Sequence, residues 1–136
     1  MPITPYLYYE DVSAAMKWLA KAFGFKKYGM QMKEPDGTVT HAAMQLGDGI
    51  IMMGAPRGDY KSPRRLGQAT QSLYINVDNA DAHFAKAKKA GGKILEEPAD
   101  TEYGHRRYGM EDPEGHQWYF AHELKPAKRR QSRSTT

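Results

Sequence analysis

The chain has 136 residues, no cysteine and a formal net charge of +4. This length suits one compact domain, and the absence of cysteine excludes disulfides, thiolate catalysis and cysteine–zinc sites. Five of the positive charges lie in 125–136, so the remainder carries +4 − 5 = −1, which does not indicate a uniformly basic nucleic-acid-binding face.

The first half of the chain predicts a strand, a helix and three further strands. Apolar residues recur at helical spacing between Val12 and Phe23, and a strand-like run precedes them. Asp11 or Ser13 can cap the start of this helix, and Gly24 suits its end. Three strand-like runs separated by turns follow, at 25–34, 38–46 and 49–55.

The second half predicts the same order of elements. A strand-like run begins at Ser72, and a helical pattern follows in which Ala80, Phe84, Ala87 and Gly91 share a face. Asp78 or Asn79 can cap this helix, and Gly91–Gly92 can stop it. His83 falls on the polar side with Lys86 and Lys89, so we expect it to be solvated. The last three runs cover 93–98, 106–112 and 116–124.

The two halves therefore form an internal repeat. A shift of about 68 residues places Tyr6 on Tyr74, and a slightly shorter one places Gly49 on Gly115. We predict an α+β fold of two tandem βαβββ modules within a single domain, 1–124. The predicted parts are module one at 3–56, a linker at 57–70 and module two at 71–123.

The remaining segment, 125–136, is basic and almost without apolar residues, which predicts a disordered tail. Such a tail is at most a weak electrostatic contact for nucleic acid or another acidic partner. No apolar run approaches the length of a membrane span, about 20 residues, and the start does not resemble a signal peptide. We therefore expect a cytoplasmic protein without a membrane partner.

Three segments carry a family resemblance that extends over about 3–123: YLYYEDVSAAMKWLAKAFGF, GDGIIMM and YGHRRYGMEDPEGHQWYFA. The chain resembles the vicinal oxygen chelate superfamily, the glyoxalase/bleomycin resistance protein/dioxygenase family, and its final stretch is most similar to the PhnB-like branch. The resemblance implies the glyoxalase/bleomycin resistance fold, in which the two modules form a curved mixed-sheet cup. It also implies a homodimer.

Metal-dependent members of this family place His, Glu or Asp near the start of the first strand and in the last strand of each module. The matching positions here are Thr4, Met53, Ser72 and Tyr119. None is a good ligand for a catalytic divalent metal, because hydroxyls are poor donors and thioethers are soft. We therefore expect no metal site and no cofactor.

Strand alternation predicts which residues face the interior of the cup. The concave side is expected to be aromatic and thioether-rich, with Ile51 and Met53 on it, as suits a small-molecule pocket. The alternative is that its tyrosines pack against a dimer partner or against each other. The predicted ligand-binding residues are Tyr6, Tyr8, His41, Met53, Tyr74, Asn76, Tyr108, Gln117 and Tyr119.

Catalysis has only two candidate residues, His41 and Glu111, which could perform acid–base chemistry without a metal. His116 either fixes the DPEG turn or faces solvent, and His122 becomes a possible ligand only if the register slips. His105, in a loop, either lies at the surface or contacts the rim of the cup. Four arginines either line the rim or are simply exposed: Arg64, Arg65, Arg106 and Arg107.

These observations predict a metal-independent protein of the bleomycin resistance type that sequesters an aromatic or antibiotic-like ligand in a dimeric cleft. One alternative is a glyoxalase-like lyase, isomerase or dioxygenase with a non-standard metal site. Another is a structural or regulatory protein without a ligand. The sequence does not decide whether the protein is an enzyme.

Overall fold

The computed structural model describes residues 1–125, and the predicted disordered tail at 125–136 lies outside these residues apart from Lys125. Eight strands and three helices alternate as the repeat predicts, except that the linker contains a helix of its own. The elements are β1 (Tyr6–Tyr8), α1 (Val12–Phe23), β2 (Lys26–Lys33), β3 (Val39–Leu46), β4 (Gly49–Gly54), α2 (Pro63–Leu66), β5 (Ser72–Asn76), α3 (Ala80–Lys89), β6 (Lys93–Asp100), β7 (His105–Glu111) and β8 (Gln117–Glu123).

The helices begin and end where local chemistry satisfies their backbone groups. Asp11 accepts a hydrogen bond from the backbone N–H of Ala14, and Asn79 accepts one from that of Ala82, so each caps a helix. Gly24 ends α1 with φ 87°, in the left-handed region where glycine is favoured. None of the helices within 1–125 is long and apolar enough to cross a membrane.

The strands form two four-stranded mixed sheets, which confirms the predicted fold class and its tandem modules. The strand orders are β1-β4-β3-β2 and β5-β8-β7-β6. In each sheet the first strand of the module pairs in parallel with the last, and the other pairs are antiparallel. The two sheets are therefore copies of one topology.

One hydrophobic core lies between the sheets. Helices α1 and α3 pack against each other there, with Trp18 Nε1 donating to the Ala90 carbonyl at 3.1 Å. Phe23 at the end of α1 contacts Trp118 and Phe120 on β8 of the other module. Both sheets thus turn one face to a shared core, and their opposite faces point away from it.

The DPEG turn of module two fastens onto the β1–α1 junction of module one. The Glu114 carboxylate accepts the backbone N–H groups of Glu10 and Asp11 at 2.6 and 3.0 Å. The linker lies over the same turn, because the Arg64 side chain donates to the Pro113 carbonyl at 2.6 Å. Two modules and the linker are therefore held together at one point.

Candidate functional site

Each sheet has one face that the helices leave uncovered. On the first sheet this face carries Tyr6, Tyr8, Tyr28, His41 and Met52, and we call it the first open face. Register places Tyr6 of β1 beside Met52 of β4, while β3 places Ala43 next to Met52. The three tyrosines are about half-exposed, so this face is an aromatic surface open to solvent.

The second sheet has an equivalent surface with more polar groups. The second open face carries Tyr74, Asn76, His105, Gln117 and Tyr119. Tyr74 of β5 pairs with Tyr119 of β8, at the position that Tyr6 and Met52 hold in the first sheet. The internal repeat therefore produces two related surfaces of different chemistry.

A tyrosine–histidine pair is present on each open face. The Tyr6 hydroxyl lies 2.9 Å from His41 Nδ1, and the Tyr74 hydroxyl lies 2.7 Å from His105 Nδ1. Each hydrogen bond fixes the orientation of an imidazole and leaves its Nε2 atom at the surface for another partner.

Two strand glycines allow aromatic rings to lie flat on these faces. A Cβ atom on Gly54 would lie 2.4 Å from the Tyr6 hydroxyl oxygen, and one on Gly109 would lie 2.5 Å from the Tyr119 ring. Any side chain at either position would therefore displace the ring. The glycines determine the shape of both surfaces.

Arg107 adds a fixed cation to the second open face. Its guanidinium carbon lies 5.2 Å from the centre of the Tyr119 ring, within the range of a cation–π interaction. Glu96 accepts two hydrogen bonds from Arg107, at 2.8 and 3.1 Å, and Arg107 also donates to the Tyr103 hydroxyl at 2.8 Å. These bonds hold the arginine in one geometry and balance its charge.

Most of the predicted ligand-binding residues lie on the open faces; their contact with a ligand remains a prediction. The exceptions are Met53 and Tyr108, for which the predicted placement was wrong, as it was for Ile51, which was predicted to lie on the concave side without being assigned to the ligand. Met53 and Tyr108 are 0% exposed, and Ile51 is buried with them in the core. The residues found on the open faces are Tyr6, Tyr8, His41, Tyr74, Asn76, Gln117 and Tyr119.

Of the four expected metal positions, Tyr119 lies on the second open face, and Met53 is displaced from the first. Thr4 precedes β1, Ser72 begins β5, and Met53 faces the core. By register, the positions paired in the two sheets are Tyr6 with Met52 and Tyr74 with Tyr119. Three phenols and a thioether do not fit a divalent catalytic metal, which needs imidazole or carboxylate donors. Within 1–125, no three His, Asp or Glu side chains form a group that could hold a metal ion.

The two candidate acid–base residues are on different sheets. His41 is paired with Tyr6 on the first open face, whereas Glu111 on β7 lies 3.9 Å from Arg64. Within one chain the structure does not assemble them into a catalytic pair.

Three other histidines, His83, His122 and His116, form hydrogen bonds that connect elements of the fold. His83, predicted to be solvated, instead lies partly buried between α1 and β7, bonded to the Phe23 carbonyl at 2.8 Å and to the Tyr108 hydroxyl. His122 accepts the backbone N–H of Ala80 at 2.8 Å at the start of α3.

The third histidine, His116, lies with its Nε2 atom 2.7 Å from the Tyr8 carbonyl oxygen and so joins the DPEG turn to β1.

The arginines proposed for the rim are ion-paired: Arg65 with Glu10, and Arg106 with Asp81 and Asp100. The backbone hydrogen bond from Ser62, followed by the hydrogen bond from Arg65, lowers the pKa of Glu10 to about 2.

Several residues of the open faces were not predicted from the sequence: Tyr28, Met52, Glu96 and Tyr103. Met52 could have been found from the repeat, since it is the partner of Tyr6 as Tyr119 is of Tyr74. Glu96 and Tyr103 carry no local pattern, because their role depends on contacts with Arg107.

Comparison with known proteins places these features in a family. The family model described as the glyoxalase/bleomycin resistance protein/dioxygenase superfamily matches residues 3–120. An uncharacterized protein of Mycobacterium bovis is 29% identical over 121 residues, which is 85% of this chain and 79% of that protein. TioX from Micromonospora sp. ML1 is similar in structure, with TM-score 0.75, 30% identity and coverage of 91% of this chain and 99% of that one.

A more local similarity links the chain to a Mycobacterium bovis protein, CFP32, whose name describes it provisionally as a glyoxylase. The two are 35% identical over 83 residues, but the match spans 57% of this chain and only 32% of CFP32. It therefore relates one part of a longer protein to this one.

Proposed function

Because the chain belongs to the glyoxalase/bleomycin resistance protein/dioxygenase superfamily, we propose that it is a metal-independent protein that binds an aromatic or antibiotic-like small molecule. The ligand would lie in a cleft between two copies of the chain. Placement in the PhnB-like branch of the superfamily remains a prediction, as does a role in resistance.

One observation carries this proposal: both open faces present aromatic side chains at their centres. Tyr6, Tyr8 and Tyr74 are about half-exposed, and Met52 lies beside Tyr6. Flat aromatic walls, a flexible thioether and a few hydrogen-bonding groups are the composition of pockets for planar ligands.

A second copy of the chain completes the cleft in this proposal. The helices of one chain fill the space between its own sheets, so its two open faces do not enclose a volume together. A twofold dimer that places the first open face of one chain against the second open face of its partner would form two identical clefts. Each cleft would then contain one tyrosine–histidine pair from each chain.

Thermal unfolding with a panel of planar aromatic compounds and bleomycin tests the binding function. A ligand at 100 times its dissociation constant should raise the free energy of unfolding by about 2.7 kcal/mol. Tyr6→Ser should weaken that effect, because it removes an aromatic wall, whereas Leu66→Ser should not, because Leu66 is exposed on α2, which belongs to neither sheet. If no compound stabilises the protein, a structural role without a ligand is favoured instead.

The similarity to CFP32 favours the alternative, a glyoxalase-like lyase, isomerase or dioxygenase with a non-standard metal site. Metal analysis of the purified protein, with a glyoxalase assay, separates the two. Ligand binding that is unchanged after chelation supports the metal-independent function. Stoichiometric metal that is lost with Tyr119→Phe would contradict it.

A further inference from the structure

The second open face contains a chain of hydrogen-bonding side chains. Arg107 donates to the Tyr103 hydroxyl at 2.8 Å, the Tyr103 and Tyr74 hydroxyls are 3.4 Å apart, and the Tyr74 hydroxyl lies 2.7 Å from His105 Nδ1. We call these four residues the relay. Its open end is His105 Nε2, since the other nitrogen of that ring is bonded to Tyr74.

The first open face has the corresponding pair but not the rest of the relay. Tyr6 and His41 are joined at 2.9 Å, as Tyr74 and His105 are. Within 1–125 the Tyr6 hydroxyl has no second hydrogen-bonding side chain, and no arginine of the described residues is bonded to this pair. The extension to Tyr103 and Arg107 is therefore a specific feature of the second module.

The relay allows two orders of protons, although its fixed end, Arg107, can only donate. Arg107 only donates, so the Tyr103 oxygen accepts from it and can also accept from the Tyr74 hydroxyl. Tyr74 can in turn accept a proton from His105 Nδ1, which leaves Nε2 as a free acceptor. The hydroxyls can also rotate to the opposite order, and then Nε2 carries a hydrogen.

The pKa values of the two tyrosines in the relay are shifted in opposite directions. The hydrogen bond with Tyr74, followed by the charge of Arg107, lowers the pKa of Tyr103, whereas burial raises the pKa of Tyr74. Glu96 compensates the charge of Arg107 through two hydrogen bonds. Glu123 lies opposite His105 in the register of β7 and β8, and Thr101 accepts the backbone N–H of His105.

We propose that the relay recognises an acidic hydroxyl group, a phenol or an enol, on a planar ligand, and that His105 binds it by accepting its proton. The O–H bond of the ligand breaks and an N–H bond forms at His105 Nε2, leaving an oxyanion beside an imidazolium. His105 Nδ1–H donates to the Tyr74 oxygen, and the Tyr74 hydroxyl turns to donate to Tyr103. No oxidant or reductant is required.

The surrounding rings suit a ligand of this class. The ring centres of Tyr103 and His105 are 5.0 Å apart, in an edge-to-face arrangement, and the Tyr74 ring on β5 lies 5.9 Å from that of His105 on β7, across β8. An aromatic ligand can therefore stack near the group that takes its proton. This inference rests on the proposed binding function and specifies the chemical class of its ligand.

A pair of probes tests the inference on the full-length protein: 4-nitrophenol, whose anion has its own visible absorption band, and nitrobenzene, which lacks the hydroxyl. At a pH about one unit below the pKa of free 4-nitrophenol, we expect the bound probe to show the band of the anion. We also expect binding about ten-fold tighter than that of nitrobenzene, equivalent to one pKa unit.

Variants locate the effect. His105→Gln and Tyr103→Phe should each abolish the anion band and the preference over nitrobenzene, while nitrobenzene still binds and the folded state is retained. Tyr60→Phe is the control outside the relay: it removes a phenolic hydroxyl of the linker, which donates to the Tyr8 carbonyl at 2.9 Å, and keeps the ring that packs against Tyr8. Equal affinity for both probes, or a preference that survives both relay variants, would overturn the relay while leaving the binding function intact. If neither probe binds, both proposals fail.

Discussion

Asp112 is the most completely bonded side chain among the described residues of the DPEG turn. It is buried, and one oxygen accepts the Tyr9 hydroxyl at 2.6 Å and the Trp118 indole N–H at 3.1 Å. The other oxygen accepts the backbone N–H groups of Glu114 and His116 at 3.1 and 3.0 Å. All four partners donate, so a carboxylate is required to satisfy them.

Replacement of Asp112 by alanine should therefore be costly. Asp112→Ala leaves buried donors without an acceptor, and we expect the free energy of unfolding to fall by about 3 kcal/mol. Asp48→Ala is the control, because Asp48 is exposed in the corresponding turn of module one, and we expect a change within about 0.5 kcal/mol. Denaturant unfolding measures both. Equal losses would show that the bonds of Asp112 contribute little.

The position of Met53 in β4 was predicted wrongly because the register of this strand cannot be inferred from the turn glycines. Alignment of the turn glycines Gly49 and Gly115 places Met53 on Tyr119, but the strands pair Met52 at that position. The hairpin between β3 and β4 closes with Leu46 opposite Gly49, whereas the one between β7 and β8 closes with Glu111 opposite Gln117. The two loops differ in length, so their glycines do not mark the same register, and an error of one residue reverses the face.

At the scale of elements, His83 connects α3 to α1 and to the second sheet. A carbonyl can only accept, so Nε2 of His83 must donate to the Phe23 carbonyl, and Nδ1 accepts the Tyr108 hydroxyl. Nδ1 is an acceptor only in the neutral imidazole, which burial favours. Burial lowers the pKa of His83 below its ordinary value of 6.5, Lys86 lowers it further, and the bond to Phe23 opposes the shift.

The sign of this shift determines a pH dependence. Below about pH 6.5 the unfolded chain takes up a proton at His83 that the folded chain binds less readily, so stability is present above that pH and is lost as pH falls. We expect the difference in unfolding free energy between wild type and His83→Gln to shrink between about pH 7.5 and pH 5.5, with a slope of at most about 1.4 kcal/mol per pH unit. A difference that stays constant with pH would contradict this role.

The helices and strands could be predicted where the residues that determine them are close together in the sequence. Helix α1 begins after Asp11 and ends before Gly24, as its caps and periodicity indicate. The same periodicity put His83 on the polar side of α3, because its partners lie 60 and 25 residues away in sequence. Similarly, Arg107 was recognised as a possible rim residue, but its bonds to Glu96 and Tyr103 depend on strand pairing.

At the scale of the whole molecule, the exposed apolar surface is concentrated on the sheet of module one. Tyr6, Tyr8, Tyr28 and Met52 on the first open face are all exposed to a third or more, and Met32 on the edge strand β2 is 63% exposed. Contiguous apolar surfaces of this kind are uncommon on proteins that remain monomeric. Charge repulsion is a weak barrier to association, since the chain carries +4 in total.

We therefore expect the protein to sediment as a dimer and expect Met32→Asp to weaken it. A carboxylate introduced next to the first open face would be desolvated in the interface, and we expect the dissociation constant to rise by at least about ten-fold, equivalent to about 1.4 kcal/mol. Leu66→Asp provides the control, since Leu66 is 61% exposed but lies on α2. Sedimentation velocity over a concentration series measures both variants. A monomeric wild type, or equal weakening by Leu66→Asp, would remove the first open face from the interface and leave the proposed cleft without its second wall.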